Sequence, residues 1–322
     1  MMIDAFLYAL DQVAVPAGRK LWLYGDPALV DGDVYHPLQD QAGTLERKAD
    51  TLFSDIHAIT GDYDAVFVHC PKQREETEGL LAFALKRSRG FVMAVAPNDA
   101  GGGRLQGMLK AYDIPMHLLS KNKCRIVWTH QAQDADKSLV WQNALLLDPL
   151  QLELGGAHWW SVPGLFGWDK IDPGSQLLLE RLPPDIAGNV ADFGCGYGYL
   201  AAMLARRYPA IHSIDAYDVD ARAVACCTRN GNEKIHPQWC DIRSLAATPR
   251  YDWIVMNPPF HSGKAENPGL GMAFIQKAYR CLKPGGRMFL VANRHLAYEH
   301  TVPGLEVVFE GEGYKIICGR PV

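Results

Sequence analysis

The stretch "VADFGCGYGYL" (190–200) constrains this chain more than any other: an apolar run stops at Gly194, Gly196 and Gly198, and a helical pattern begins at once. Glycines let such a loop take positive φ and let a ligand approach the backbone closely. The segments that follow keep alternating. "YLAAMLARRYP" sets Leu200, Met203 and Leu204 at helical spacing and is closed by Pro209, "IHSIDAYDVD" reads as a strand, and "ARAVACCTRNG" is a helix stopped at Asn230-Gly231. "YDWIVMN" is a further strand, "AFIQKAYRCLKPGG" is a helix with Ile275, Ala278, Tyr279 and Leu282 on one face, and "RMFLVAN" is the strand after it. Alternation of this kind predicts an α/β fold, a mostly parallel sheet flanked by helices.

A fainter copy of the plan lies in the first half. Aligning "YDAVFVHCPK" (63–72) with "YDWIVMNPPF" (251–260) superposes Tyr63 on Tyr251, Asp64 on Asp252 and Pro71 on Pro259. His69 then falls on Asn257, and Lys72 on Phe260. The earlier strand "KLWLYGD" (20–26) has no GxGxG after it. With 322 residues there is room for two cores. The expectation is two tandem Rossmann-like domains, the first degenerate: 1–130, a connection over 131–175, and a catalytic domain over 176–322. The connection shows no helical periodicity and crowds Gly, Trp and Pro together in "LELGGAHWWSVPGLFGWDKIDPGSQ", which reads as a functional loop. "APNDAGGGRLQG" (96–107) lacks the Lys-Ser/Thr of a phosphate cradle and reads as a surface loop.

Charge and cysteine usage narrow the partners. A formal net charge of -4 means that any nucleic-acid contact must come from a local basic patch. None of the eight cysteines stands in CxxC spacing, so no metal site is expected. "MMIDAFLYALDQVAV" carries Asp4 and Asp11 and lacks a basic leader, and no apolar run approaches the ~18 residues of a membrane span. The expectation is a cytoplasmic protein with no membrane contact; oligomeric state is left open.

A dinucleotide fingerprint would need a glycine at position 199, where Tyr199 stands, so the loop suits S-adenosylmethionine better than NAD. Asp192, just before the glycines, is placed to meet the cofactor's ammonium. Asp215, Asp218 and Asp220 compete for the ribose hydroxyls. Asp220 begins a helix as its N-cap and Asp215 sits mid-strand, which leaves Asp218. Asp241 is placed to accept from the adenine amine, with the Ile242 N–H donating to the ring; a plain N-cap is the other reading of Asp241.

The tetrad Asn257-Pro258-Pro259-Phe260 carries the chemistry. An exocyclic purine amine is a poor nucleophile because its lone pair is delocalised. Two acceptors aimed at its hydrogens, the Asn257 side-chain oxygen and the Pro258 carbonyl, hold it in line and draw the lone pair out of conjugation. Pro258 and Pro259 stiffen the turn, and Phe260 offers a stacking face of ~1–3 kcal/mol. No strong base is needed, and neighbouring His261 reads as a satisfied or solvent-facing side chain.

"NPPFHSG", "DFGCGYG", "PGLFGWDKIDPGSQLLL" (163–179) and "LVANRHLAY" together resemble the RsmC/RlmG family of ribosomal RNA guanine-N2 methyltransferases. The resemblance is strong over 160–320 and weaker before. It implies tandem methyltransferase-like domains, S-adenosylmethionine as cofactor, and a guanine N2 amine in ribosomal RNA, of the small subunit by preference, as acceptor. It also implies that Phe166, Gly174, Ser175 and Gln176 cover the cofactor, that Asp218 binds ribose, and that Asn257 to Phe260 hold the guanine. Lys170, Lys264 and Arg294 are candidate RNA contacts, and Lys121, Lys123 and Arg125 in "SKNKCRIVW" suggest RNA docking by the inactive copy. Adenine N6 or a protein glutamine amide suits the same tetrad. A non-catalytic RNA-binding or assembly factor is the other class, against which the intact glycine loop and tetrad speak.

Overall fold

The computed structural model describes residues 2–321 other than 260, 263, 264 and 267, with backbone alone for 261, 262, 265 and 266. The chain divides into two units, Met1–Pro149 with Val162–Gly164, and Leu150–Ser161 with Leu165–Val322.

In the first unit the order is α1 (Met2–Gln12), β1 (Lys20–Leu23), β2 (Asp33–Tyr35), α2 (Gln39–Leu45), β3 (Leu52–Phe53), β4 (Tyr63–His69) and α3 (Arg74–Arg87). Then come β5 (Ser88–Pro97), α4 (Gly102–Lys110), β6 (His117–Lys121), β7 (Cys124–Thr129) and α5 (Lys137–Ala144). The seven strands pair in the order β3-β2-β1-β4-β5-β7-β6. The first five are parallel, and β7 runs antiparallel to both β5 and β6.

The second unit opens with a hairpin, β8 (Leu150–Leu154) and β9 (Ala157–Ser161), turning at Gly155 and Gly156, both with positive φ. It continues through α6 (Pro173–Arg181), β10 (Gly188–Phe193), α7 (Tyr199–Arg207), β11 (Ile211–Asp218), α8 (Ala221–Asn230), β12 (Ile235–Trp239) and β13 (Tyr251–Met256). A two-residue ladder, β14 (His261–Ser262) and β15 (Ala265–Glu266), precedes α9 (Pro268–Cys281), β16 (Leu282–Asn293), β17 (Leu305–Gly311) and β18 (Tyr314–Gly319). Its main sheet has the order β12-β11-β10-β13-β16-β18-β17, the same path as the first unit's, with β18 antiparallel to its neighbours. The central strands are mostly apolar, with Ile254, Val255 and Met256 of β13 fully buried, as suits a parallel sheet covered on both faces. Chain direction across the sheet reverses between β10 and β13, and the crevice at their carboxyl ends is where ligands bind in open sheets of this kind.

The repeat extends to individual bonds. Tyr63 donates to Asp33 at 2.9 Å, and Tyr251 to Asp215 at 2.7 Å. Asp64 accepts the Arg19 N–H at 2.8 Å, and Asp252 the Asn189 N–H at 2.8 Å. The Tyr24 N–H reaches the Tyr35 carbonyl at 2.9 Å, as the Gly194 N–H reaches that of Tyr217 at 2.9 Å. Tyr24 therefore stands where the second unit has Gly194 and keeps its left-handed turn, φ being 58° against 81°. His69, in the place of Asn257, is buried with no partner for Nε2 among the described residues, and burial lowers its pKa to about 4, so it is neutral.

Two expectations fail, one over 96–107, where residues 102–107 open α4 instead of lying in a loop, and one between 131 and 175. That stretch contains the helix α5, capped by Asp136 accepting from Ser138 and Leu139 N–H, and the hairpin β8–β9. Eight residues of helix are too few to display a period, and a two-glycine turn separates strands whose alternation is obscured by Trp159 and Trp160.

Candidate functional site

β10 delivers Asp192 into the interior at the foot of the glycine loop. One of its oxygens accepts the Ala201 N–H at 3.1 Å; the other, Oδ1, is buried with no partner among the described residues. Burial pushes the carboxyl up to about 7, the nearby Asp218 charge adding to it, and the Ala201 N–H offsets part of the rise. The glycines differ in what they serve. A Cβ at Gly196 would meet nothing within 4 Å, whereas one at Gly198 would lie 2.7 Å from Cys227 Sγ. Gly196 thus keeps an open face, and Gly198 lets α8 pack against the loop.

β11 ends in Asp218, which accepts the Gly196 N–H at 2.8 Å and the Asp220 N–H at 2.9 Å. Burial, the largest influence, raises its pKa to about 6. The two rival acids are engaged elsewhere. Asp220 caps α8 through the Arg222 N–H at 2.9 Å and pairs with the Arg222 guanidinium at 2.6 Å, while Asp215 accepts from Tyr251. Asp241 caps the single turn Ile242–Ser244 through the Arg243 N–H and is gripped by the Arg243 guanidinium at 2.8 Å; Ile242 is buried beneath it.

β13 stops at Asn257, because Pro258 and Pro259 have no N–H to continue a ladder. The Asn257 amide donates to Asp172 Oδ2 at 2.8 Å and to Ser175 Oγ at 2.9 Å. Asp172 is also the N-cap of α6, its Oδ2 accepting the Ser175 N–H at 2.8 Å ahead of Pro173 in the first turn. Both hydrogens of Nδ2 are therefore used, and Oδ1 accepts from no described residue. Turning the amide over would set its oxygen against a carboxylate, so this orientation is the only one in which donors meet acceptors. Pro258 is buried and Pro259 half-buried. Phe260 lies outside the described residues.

One cleft brings together Asn257, Ser175, Gly194, Gly196 and Phe166, the last 64% exposed. Asp172, Tyr197 and Tyr199, which sequence reasoning did not single out, line it too. The "DPGS" run does carry the signal of a capped helix start, although nothing in it says what else the cap touches. Gly174 is buried beside the Tyr314 ring, while Gln176 points outward on α6 and does not line the cleft. Asn230, at the end of α8, accepts the Trp160 N–H and donates to the carbonyls of Trp160 and Tyr197, tying the hairpin to the glycine loop.

Among the basic candidates, Lys170 is exposed and its carbonyl receives the Tyr197 hydroxyl at 3.3 Å. Arg294 is exposed and pairs with Glu310 at 3.1 Å, and Lys264 lies outside the described residues. In the first unit Lys121 and Lys123 are exposed at the β6–β7 turn, with the Lys121 ammonium 4.4 Å from the Tyr8 ring, and half-buried Arg125 donates to Ser120. No cluster of His, Cys, Asp and Glu able to hold a metal occurs among the described residues, and no helix there is long and apolar enough to cross a membrane.

Residues 157–318 match the model of the Methyltransferase small domain family. The chain is 34% identical over 294 residues to the ribosomal RNA small subunit methyltransferase C of Ectopseudomonas mendocina, covering 87% of this chain and 86% of that one. With its counterpart in Shewanella halifaxensis the identity is 32%, over 81% and 79% of the two chains. The structure of the T. thermophilus 16S rRNA N2 G1207 methyltransferase in complex with AdoMet and guanosine superposes with a TM-score of 0.81 at 23% identity, over 100% of this chain and 92% of that one, and so shares the two-unit fold.

Proposed function

Since this chain belongs to the ribosomal RNA small subunit methyltransferase C family, we propose that its second unit methylates the exocyclic N2 amine of a guanine in small-subunit ribosomal RNA, with S-adenosylmethionine as donor. The observation that carries the reading is the Asn257 amide, whose nitrogen is fully engaged and whose oxygen is left as an acceptor at the end of a parallel strand.

The residues present fit the cofactor. Asp192 keeps one buried oxygen without a partner among the described residues, suited to an ammonium, and the open side of Gly196 allows close approach to the backbone. When bound, S-adenosylmethionine supplies an electrophilic methyl group. Asp218 would accept from the ribose hydroxyls with the lone pairs its backbone donors leave free. Asp241 and Ile242 would meet the adenine only if Arg243 gave up part of its hold on the carboxylate. Phe166, Gly174 and Ser175 would form the approach over the cofactor, while Gln176, exposed on the far side of α6, would not touch it.

Asn257 Oδ1 and the Pro258 carbonyl would accept the two hydrogens of the guanine amine, localising its lone pair on nitrogen, with Pro259 stiffening the turn and Phe260 stacking on the base. The amine becomes acidic once alkylated, so water can take its proton. Placement of the amine, rather than a strong base, accounts for the acceleration. The first unit has a buried imidazole, His69, where the second has the Asn257 carboxamide, and no GxGxG loop; we assign it RNA docking through Lys121, Lys123 and Arg125. Lys170, Lys264 and Arg294 would lie toward the RNA in the second unit. The substrate would be met in the cytoplasm, as free RNA or as an assembled subunit.

Mapping modified nucleosides by mass spectrometry in ribosomal RNA from cells with and without this protein tests the function. One N2-methylguanosine should disappear with the protein; an unaltered guanine methylation pattern would sink the proposal.

A further inference from the structure

We propose that Asp172 and Ser175 are positioning residues for methyl transfer, acting through Asn257; the inference rests on the function proposed above. The two ends of a carboxamide are almost the same size, so packing alone does not decide which faces the substrate. Only hydrogen-bond partners do. In one orientation Asn257 offers an acceptor to the target amine, and in the other it offers a second donor, which repels it.

Asp172 Oδ2 and Ser175 Oγ accept from Nδ2 at 2.8 and 2.9 Å, which selects the productive orientation before any base arrives. Asp172 acts with a single oxygen that also caps α6 at 2.8 Å. The end of β13 is thereby fastened to the first turn of α6, two segments 85 residues apart in sequence. A carboxylate accepting from the amide nitrogen also polarises the group, leaving more negative charge on Oδ1 and making it a better acceptor for the amine hydrogen. Ser175 is buried and both residues line the cleft, so the pair borders the site without needing to touch the base.

The test uses the full chain with small ribosomal subunits from cells lacking it, reading kcat, KM and the S-adenosylmethionine dissociation constant separately. Asp172→Ser keeps an N-cap oxygen but is too short to reach Asn257; kcat should fall roughly 30- to 100-fold while cofactor affinity stays within about threefold. Asp172→Asn retains an oxygen able to accept from both donors and should rescue kcat to within about fivefold of wild type. Ser175→Ala removes one acceptor without disturbing the cap and should lower kcat roughly tenfold; it reads the same role if Asp172→Ser does not fold. A kcat unchanged in Asp172→Ser and Ser175→Ala, or a kcat loss in Asp172→Ser matched by weaker cofactor binding, would overturn the inference. Failure of the parent function looks different: wild-type protein would leave guanine N2 unmethylated. If wild type transfers, Asn257→Ala lowers kcat roughly 100-fold or more and Asp172→Ser leaves it unchanged, only the positioning role is lost.

Discussion

Asp218 accepts the backbone N–H of Gly196 at 2.8 Å, so the acid that ends β11 also holds the loop that follows β10. Replacing it removes the proposed ribose acceptor and a loop support together. Asp218→Ala should weaken S-adenosylmethionine binding at least about 30-fold by calorimetry, because hydrogen bonds to a charged group are worth ~1.5–3 kcal/mol each. Binding within threefold of wild type would remove Asp218 from the cofactor site.

Asn257→Ala should lower kcat by roughly 100- to 1000-fold with the cofactor dissociation constant unchanged, since the amide is read only by the accepting amine. Asn257→Asp should do no better despite its matching shape. Its second oxygen would face Asp172, and repulsion there undoes the arrangement.

Asp192 gives a pH signature. Burial holds its carboxyl at about 7 in the fold, well above the usual carboxylate value of about 4, so between these values the native state binds the extra proton. Stability of the cofactor-free protein should therefore fall as pH rises from about 4 to about 7, and that component should flatten in Asp192→Asn. The ionised form is the one suited to an ammonium, so cofactor affinity should rise over the same interval in wild type. Thermal melts and calorimetry across pH, with and without the substitution, measure both trends.

Gly18 and Gly188 have positive φ, and a Cβ on either would sit 2.2 or 2.4 Å from the carboxylate of Asp64 or Asp252. Alanine at either position should cost about 2–4 kcal/mol through backbone strain and the displaced carboxylate–amide bond. Chemical denaturation of each variant should show the loss in whichever unit carries the change. Two unaffected midpoints would contradict the shared role.

Replacing Lys121, Lys123 and Arg125 together by alanine should weaken RNA binding and reduce its salt dependence, leaving cofactor affinity intact. Titrations at several salt concentrations read both. An RNA affinity equal to wild type would remove the first unit's basic turn from recognition.

How much was legible in the sequence depends on how local the signal is. The sheet followed from alternating apolar runs and glycine stops, and the pairing of Tyr63 with Tyr251 and Asp64 with Asp252 followed from identical dipeptides opening identical strands. The N-cap role of Asp220 and a structural partner for mid-strand Asp215 were readable from position alone. The bond from Asp172 to Asn257 was not, since residues 85 apart meet only after the sheet closes. Nor was the Arg243 grip on Asp241, which depends on a side-chain rotamer. The persistence of the first unit's turn was hidden for another reason: Tyr24 breaks the glycine pattern while keeping the glycine conformation.

That tyrosine makes the loss in the first unit hard to reverse. Its ring lies 5.2 Å from the His36 ring, and His36 follows Tyr35 as Asp218 follows Tyr217, so two aromatic groups stand where the second unit has a glycine and an acid. The Tyr24 hydroxyl is fastened to Glu76 at 2.5 Å. Restoring an asparagine at His69 would return an amide to a place where His36 and Glu76 are buried, with a tyrosine ring instead of an open glycine beside it.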